Sequence, residues 1–231
     1  MPGTLDGCRC IVTGASRGVG RAVAEAYAGG GARVVATATS ADHLTSLRAA
    51  AGPDVTAVAL DLRDAASVDR AAAEAVATLG RVDVLVNNAG LLGVRAPLAD
   101  YPLEVWDEVL AAGLTGTLRL IQRVLPGMTD GGAIVNVTSG AAGRPTWGAY
   151  AVAKLGIDGM TRMLREELAD RRIRVVAINP GPTRTAMRAA AYPREDPATV
   201  PHPASRVGPF LAVAAGADPG WLVQAAEWAG A

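Results

Sequence analysis

Three polar side chains in the second half of the sequence have the types and spacing of a proton-transfer site. Tyr150 and Lys154 are four residues apart, so a helix would place them on one face. A phenol is normally too weak an acid for proton transfer at neutral pH, but a nearby cation favours its ionised form, and Lys154 can supply that charge. Ser139 could donate a hydrogen bond that polarises a substrate oxygen. On its own, the Tyr150–Lys154 pair could equally be an ordinary contact on a helix surface.

A glycine-rich turn near the start of the chain has the features of a phosphate-binding site. Residues 13–20 read Thr-Gly-Ala-Ser-Arg-Gly-Val-Gly and stand between an apolar run and an Ala-rich helical stretch. Glycines permit a tight turn and a close approach of the backbone to a pyrophosphate, and the following helix offers free N–H groups. The turn therefore predicts dinucleotide binding by Gly14, Ser16, Arg17, Gly18, Val19 and Gly20.

The end of the second predicted strand bears on which dinucleotide is bound. An NAD-preferring site usually carries Asp or Glu here for the ribose hydroxyls, and neither Ala38 nor its neighbours supply one. Arg17 could reach a 2′-phosphate instead, with hydroxyls added by Thr37 and Thr39. The alternative for Arg17 is a solvated surface charge. These residues favour NADP(H) as the cofactor, with NAD(H) as the second possibility.

The elements that must position these residues alternate along the chain. Short β-branched runs predict strands at 8–13, 33–37, 55–60, 82–86, 133–138, 173–178 and, more weakly, 222–225. Ala-rich runs between them predict helices at 19–28, 42–51, 65–79, 103–125, 148–169 and 205–215. Such alternation requires parallel pairing through crossover helices. We predict an α/β fold with a doubly wound parallel sheet, the Rossmann fold, as a three-layer α/β/α sandwich in a single domain over residues 1–231.

The order of the motifs resembles the short-chain dehydrogenase/reductase family, and the first half is similar to its 3-oxoacyl-ACP reductase-like group. The resemblance spans about residues 5–190. It rests on the turn at 13–20, the Asn87-Asn88-Ala89-Gly90 run, Ser139, the Tyr150-x-x-x-Lys154 pair and Pro180-Gly181. It implies an NADP(H)-dependent oxidoreductase that moves hydride between nicotinamide and a small-molecule carbonyl or secondary alcohol. In that reading Tyr150 is the acid/base, Lys154 its electrostatic partner and Ser139 the polarising group.

The resemblance also implies further cofactor contacts after the later strands. Asp61 and Leu62 would seat the adenine, although a strand-end helix cap is an alternative for them. Asn88 would lie beside the adenosine ribose, although residues 87–90 could also form a plain structural turn. The full set of additional contacts is Asp61, Leu62, Asn88, Gly90, Tyr150, Lys154, Pro180, Gly181, Thr183 and Thr185.

Three features depart from the family pattern. Gly113 stands where the family usually has an Asn that shapes a helix for the proton relay. Ser139 and Tyr150 are closer in sequence than is usual, so residues 140–147 must form a tighter loop or Ser139 must be displaced. Trp147 on that loop either faces the substrate or fills the core. Residues 220–228 replace a glycine-rich final strand. Gly113 and the shortened loop support the alternative of a catalytically weak or inactive nucleotide-binding sensor or scaffold of the same fold.

A proline-rich segment follows the last motif. Five prolines lie within residues 192–209, which excludes a continuous helix or a central strand there. We predict a substrate flap within 183–210, with a plain surface loop as the alternative. Segments 91–98, 140–147 and 183–210 would line the substrate cleft, and because they are neither strongly charged nor rich in aromatic residues they favour a neutral substrate of modest size.

Composition narrows the remaining possibilities. The 22 basic and 22 acidic residues leave no net charge, which argues against nucleic-acid or anionic-membrane partners. Cys8 and Cys10 are expected to be reduced thiols, and the two histidines are too few and too isolated for a metal site. No basic leader or membrane-length apolar run is present, so we expect a cytoplasmic protein. By family habit, the helices at 103–125 and 148–169 would pair between subunits in a homodimer or homotetramer.

Overall fold

A parallel sheet organises the computed structural model, which describes residues 3–229. Seven strands lie in the order β3-β2-β1-β4-β5-β6-β7, and every neighbouring pair is parallel. The strands are β1 Arg9–Val12, β2 Arg33–Ala38, β3 Val55–Ala59, β4 Val82–Asn87, β5 Met128–Val137, β6 Arg174–Asn179 and β7 Leu222–Gln224. The order reverses between β1 and β4, which opens a crevice at their carboxyl ends. The predicted doubly wound fold is confirmed.

Helices cover both faces of the sheet. They are α1 Gly18–Gly29, α2 Thr45–Ala51, α3 Ala65–Leu79, α4 Leu103–Leu110, α5 Gly116–Val124, α6 Gly148–Glu167, α7 Ala186–Ala191 and α8 Gly208–Ala214. One apolar cluster includes side chains of α1, α2 and α8, and a second includes those of α3 and α5. Between the layers, Tyr27 and Phe210 are fully buried, and the Tyr27 hydroxyl donates to the Phe210 carbonyl at 3.0 Å. The predicted three layers are therefore present.

Two elements differ from their predicted bounds because of local irregularities. β5 starts at Met128 rather than residue 133, since its pairing with β4 shifts register between Val82 and Val84 and so takes in Gly131 and Gly132. The helix predicted over 103–125 is interrupted by a π-helical turn at Ala111–Thr115. Hydrophobic periodicity detects neither the inserted strand residues nor the extra residue in a helical turn.

The proline-rich region is ordered as short pieces. α7 precedes it and was missed by the sequence, whereas 3₁₀ turns at Pro197–Thr199 and Pro203–Arg206 lead into α8. The helix predicted from residue 205 therefore begins at Gly208, with a proline in its first turn. Within the described part of the chain, no helix is long and apolar enough to cross a membrane.

Candidate active site and dinucleotide cradle

The crevice between β1 and β4 is held together by Thr13, the first residue after β1. Its backbone N–H donates to the Val86 carbonyl at 2.9 Å. Its hydroxyl oxygen accepts the N–H groups of Asn88 at 2.9 Å and Ala89 at 3.0 Å. The two loops that leave the crevice therefore start from one hydrogen-bonded point.

The glycine turn packs directly on the asparagine run. Gly14 and Gly18 have φ of +63° and +61°, a region that other residues rarely adopt. A Cβ on Gly20 would overlap the Asn88 side chain, whose Nδ2 donates to the carbonyls of Thr13 at 2.9 Å and Gly14 at 3.2 Å. The amide of Asn88 thus stabilises the glycine turn through hydrogen bonds. This is a structural role of the kind considered as the alternative for residues 87–90.

The first turn of α1 lies open to an anion. Arg17 is exposed at the position before the helix, and the first turn carries no acidic residue. Ser16 and Val19 are half-buried beside it. Unpaired N–H groups and a nearby guanidinium both favour a phosphate at this point.

The end of β2 carries an unusual buried hydroxyl. Thr37 is 2% exposed, and its Oγ1 has no hydrogen-bond partner among residues 3–229. Thr39 is exposed, with Oγ1 at 3.5 Å from Nδ1 of His43. An orphaned hydroxyl, a glycine cradle and a free helix N-terminus fit a dinucleotide, and the buried Ala38 supplies no carboxylate to repel a 2′-phosphate.

Asp61 and Leu62 lie beyond β3 at the edge of the crevice. The carboxylate of Asp61 accepts three hydrogen bonds from Arg63, at 2.9, 3.0 and 2.7 Å, and this pairing lowers the pKa of Asp61. Leu62 is buried. The alternative that Asp61 caps α3 is wrong, because Asp64 accepts the Ala66 N–H at 2.9 Å. Six residues line an adjoining cavity of about 420 Å³: Asp61, Arg63, Asp64, Asp107, Glu108 and Ala111.

Ser139, Tyr150 and Lys154 come together above the carboxyl end of β5. Tyr150 is 9% exposed, and the Ser139 hydroxyl is close enough to lower its pKa, so the shorter spacing does not separate the two side chains. Burial raises the pKa of Tyr150, and the Ser139 hydroxyl only partly offsets this effect. The sequence predicted a cation that favours the ionised phenol. The Lys154 Nζ lies 5.8 Å from the centre of the Tyr150 ring, and the net pKa of the phenol is raised because burial dominates.

Lys154 is completely enclosed. Its Nζ donates to the Val137 carbonyl at 2.6 Å, and burial lowers its pKa to about 8, an effect that the carboxylate of Asp158 opposes. A Cβ on Gly90 would lie 4.0 Å from this Nζ, so the asparagine run ends beside the ammonium group. The predicted catalytic residues and the end of the cofactor loop therefore meet at one point.

The short loop before α6 turns by left-handed backbone conformations. Gly143, Thr146 and Gly148 have φ of +69°, +65° and +51°. Thr146 is β-branched, so its conformation is strained by about 1–3 kcal/mol. Trp147, 9% exposed, packs its ring 5.9 Å from that of Tyr150. The loop thus turns within few residues, and Trp147 belongs to the apolar cluster around Tyr150.

The segment after β6 reaches back to the glycine turn. Gly181 has φ of +68°, and its N–H donates to Oδ1 of Asn179 at 3.0 Å. Pro180 is half-buried, whereas Thr183 is buried and bonded to the Gly181 carbonyl at 3.1 Å. A Cβ on Gly18 would lie 3.1 Å from Cγ2 of Thr185. The structure thus brings the first and last predicted cofactor motifs together.

A buried polar chain that the sequence analysis missed ties α6 to the sheet. Asn87 Nδ2 donates to Asn136 Oδ1 at 2.9 Å, and Asn136 Nδ2 donates to the Thr161 hydroxyl at 2.9 Å. Thr161 in turn donates to the Ile157 carbonyl at 2.7 Å. The sequence feature that could have revealed this chain is Asn136 within the apolar run of β5, because a buried amide must find hydrogen-bond partners.

Gly113 lies within the π-helical turn, buried against α6. A Cβ there would meet the Cβ of Ala153, the neighbour of Lys154, at 3.4 Å. A Cβ on Gly116, three residues on, would overlap the Leu62 carbonyl. The irregular helix therefore passes close to both the Lys154 helix and the loop after β3.

Comparisons with known proteins agree with this geometry. Residues 9–196 match the family model described as short chain dehydrogenase. The chain is 40% identical over 201 residues to D-threitol dehydrogenase of Mycolicibacterium smegmatis, an alignment that covers 83% of this chain and 77% of that protein. It is 39% identical over 190 residues to the 3-oxoacyl-[acyl-carrier-protein] reductase of Thermotoga maritima, covering 79% and 77%. A short chain dehydrogenase from Shigella flexneri, solved in complex with NADP, superposes with a TM-score of 0.91 at 34% identity, covering 98% and 100% of the two chains.

Proposed function

The chain belongs to the short-chain dehydrogenase family, and from this premise we propose that it is an NADP(H)-dependent oxidoreductase. Its reaction moves hydride between nicotinamide and a carbonyl or secondary alcohol. The observation that carries the proposal is the buried Tyr150 phenol, which lies beside the Ser139 hydroxyl and the buried ammonium group of Lys154.

The proton chemistry follows from the environment of each group. Reduction of a carbonyl creates an alkoxide, which needs a proton donor at its oxygen. Tyr150 is that donor, because burial keeps its phenol neutral until the charge develops. Ser139 holds the substrate oxygen by a hydrogen bond. Lys154, with a pKa of about 8, is mostly charged at neutral pH and stabilises the phenolate that is left.

NADP(H) is the cofactor that the cradle supports, and it supplies the hydride when bound. The proposed contacts of the 2′-phosphate are Arg17 and the hydroxyls of Thr37 and Thr39, and the absence of a carboxylate at the end of β2 supports this choice. The Shigella flexneri protein bound to NADP supports the same choice. Asn88, Gly90, Thr183 and Thr185 complete the cradle from the loops after β4 and β6.

We also propose that subunits pair through helices α5 and α6. Exposed apolar side chains lie on α5 at Leu118 and on α6 at Leu155 and Met163, the last of these 64% exposed. Single exposed residues are common, but three on neighbouring helices favour burial in a homodimer or homotetramer. The segment 183–210, with its short turns, is proposed as the substrate flap.

The test is NADPH and NADH oxidation, followed at 340 nm against ketones, aldehydes, quinones and β-ketoesters. Tyr150→Phe removes the donated proton and leaves the ring, so we expect turnover to fall by about 10²–10⁴-fold while NADPH binding changes little. A Tyr27→Phe variant, which removes a phenol outside the site, is the control. Near-normal turnover by Tyr150→Phe would refute the mechanism. NADPH binding without turnover of any carbonyl would favour a sensor or scaffold.

A further inference from the structure

Three cleft segments meet in one stack of side chains beside Tyr150. Arg95 comes from the loop after β4, Trp147 from the start of α6 and Tyr192 from the end of α7. The guanidinium carbon of Arg95 lies 4.6 Å from the centre of the Trp147 ring and 5.5 Å from that of Tyr192. Arg95 Nη1 also donates to the Ala191 carbonyl at 3.1 Å. The arginine is therefore fixed in place by two aromatic rings and a hydrogen bond.

The stack extends directly to the proposed proton donor. Trp147 packs on Tyr150 on one side and supports Arg95 above its ring, so one indole separates the guanidinium from the phenol. Arg95 is nevertheless exposed. A substrate whose carbonyl lies at Tyr150 can therefore reach the guanidinium with another part of the same molecule.

Arg95 lacks a charge partner of its own in the described part of the chain. The other arginine on Tyr192, Arg188, makes a bidentate pair with Glu195 at 2.7 and 2.6 Å. No carboxylate within residues 3–229 forms such a pair with Arg95, which has further donors beyond its bond to Ala191. An exposed, fixed guanidinium with free donors is suited to bind a carboxylate or a phosphate.

The charge of the three segments proposed to line the cleft also favours binding of an anionic group. Segments 91–98, 140–147 and 183–210 contain six arginines but only two acidic residues, Glu195 and Asp196, in a chain with no net charge. The lack of strong charge and of aromatic residues in these segments had favoured a neutral substrate. The structure gives the opposite indication, because Arg95 is held on Trp147, whose ring also contacts Tyr150.

We propose, building on the function above, that the substrate is a carbonyl compound with an anionic group, and that Arg95 binds this group while the carbonyl lies at Tyr150. The chain between the two groups would lie along the face of Trp147. Arg95 is then a residue that determines substrate class, and it takes no part in proton transfer.

Oxo acids and their neutral esters provide the test. Acetoacetate, levulinate and 5-oxohexanoate, each with its methyl ester, place a charge at three distances from one ketone. Binding to the protein saturated with NADP⁺ is measured by calorimetry, and NADPH oxidation by absorbance. A charge-assisted hydrogen bond predicts that one acid of the series binds about tenfold more tightly than its ester. Arg95→Gln should abolish that preference, whereas Arg48→Gln, at an exposed position on α2, should keep it.

The outcomes separate this inference from the proposed function. Equal binding of every acid and its ester, or an unchanged preference in Arg95→Gln, would overturn the role of Arg95 even if esters are reduced. An acid preference that depends on Arg95 but is accompanied by no NADPH oxidation would support the anion site and refute the reductase. Added NaCl should weaken the preference in wild-type protein, because an exposed ion pair is screened by salt.

Discussion

Replacement of Lys154 by Met should make the protein more stable at neutral pH, although it should remove activity. Lys154 has a pKa of about 8 in the folded protein, against an ordinary value of 10.5. Each unit of this difference corresponds to about 1.4 kcal/mol, so burial of the charged group costs about 3 kcal/mol. Methionine fills similar space without a charge but gives up the bond to the Val137 carbonyl, about 1 kcal/mol. We expect a net gain of about 2 kcal/mol at pH 7.

The sign of the pH dependence follows from proton uptake in the two states. Below the folded pKa of about 8, both states carry the proton and the cost is fully present. Between that value and the unfolded pKa, the unfolded chain binds more protons, so the stability of the wild type rises with pH. Integration over pH 7–10 gives a relative gain of between about 2 and 3 kcal/mol for wild type over Lys154→Met.

Urea unfolding of both proteins, followed by circular dichroism at intervals from pH 7 to pH 10, measures this difference. Other titratable groups, such as Cys8 and Cys10, are common to both proteins, so their contributions cancel in the comparison. A difference in unfolding free energy that stays constant with pH would refute the reasoning. So would a Lys154→Met protein that is less stable than wild type at pH 7, because the ammonium group would then be stabilised by its surroundings.

Two further substitutions test the supports of the site. Asn136→Ala leaves the amide of Asn87 and the hydroxyl of Thr161 without this partner, so the free energy of unfolding in urea should fall by about 2–3 kcal/mol; a loss below about 0.5 kcal/mol would contradict the assigned network. Gly113→Ala places a methyl group 3.4 Å from the Cβ of Ala153, an ordinary contact, and restricts the unfolded chain. It should raise the unfolding free energy by about 0.4–1 kcal/mol, and a destabilised variant would show that the π-helical turn requires glycine.

Local patterns in the sequence predicted much of the fold and part of the candidate site. Tyr150 and Lys154 are one helical turn apart, and the glycine turn is flanked by a strand and a helix, so each could be interpreted from neighbouring residues alone. α3 was predicted with its observed bounds, Ala65–Leu79, because Asp64 caps its start and Gly80 follows its end. The parallel pairing of the strands followed from their alternation with helices.

Features that depend on contacts between distant segments were not predicted. Ser139 stays beside Tyr150 across a short loop in which Thr146 has a strained conformation, and this conformation is not predictable from the residue pattern. The sequence did not indicate where Arg95 lies, because Trp147 and Tyr192, whose rings contact it, come from other segments. Burial likewise reversed the expected direction of the Tyr150 pKa, since it depends on everything that packs around the phenol.

The use of lysine rather than arginine at position 154 is informative in a way that its spacing from Tyr150 is not. The chain has 21 arginines and a single lysine, Lys154. Arginine serves in the ion pairs of the surface, such as Arg119 and Arg123 with Asp69, where a permanent charge and a planar fork suffice. Position 154 is enclosed and its pKa is lowered to about 8, which a guanidinium with a pKa above 12 could not match. A sequence that uses arginine almost everywhere therefore retains lysine at the one place where burial requires a cation that can lose its proton.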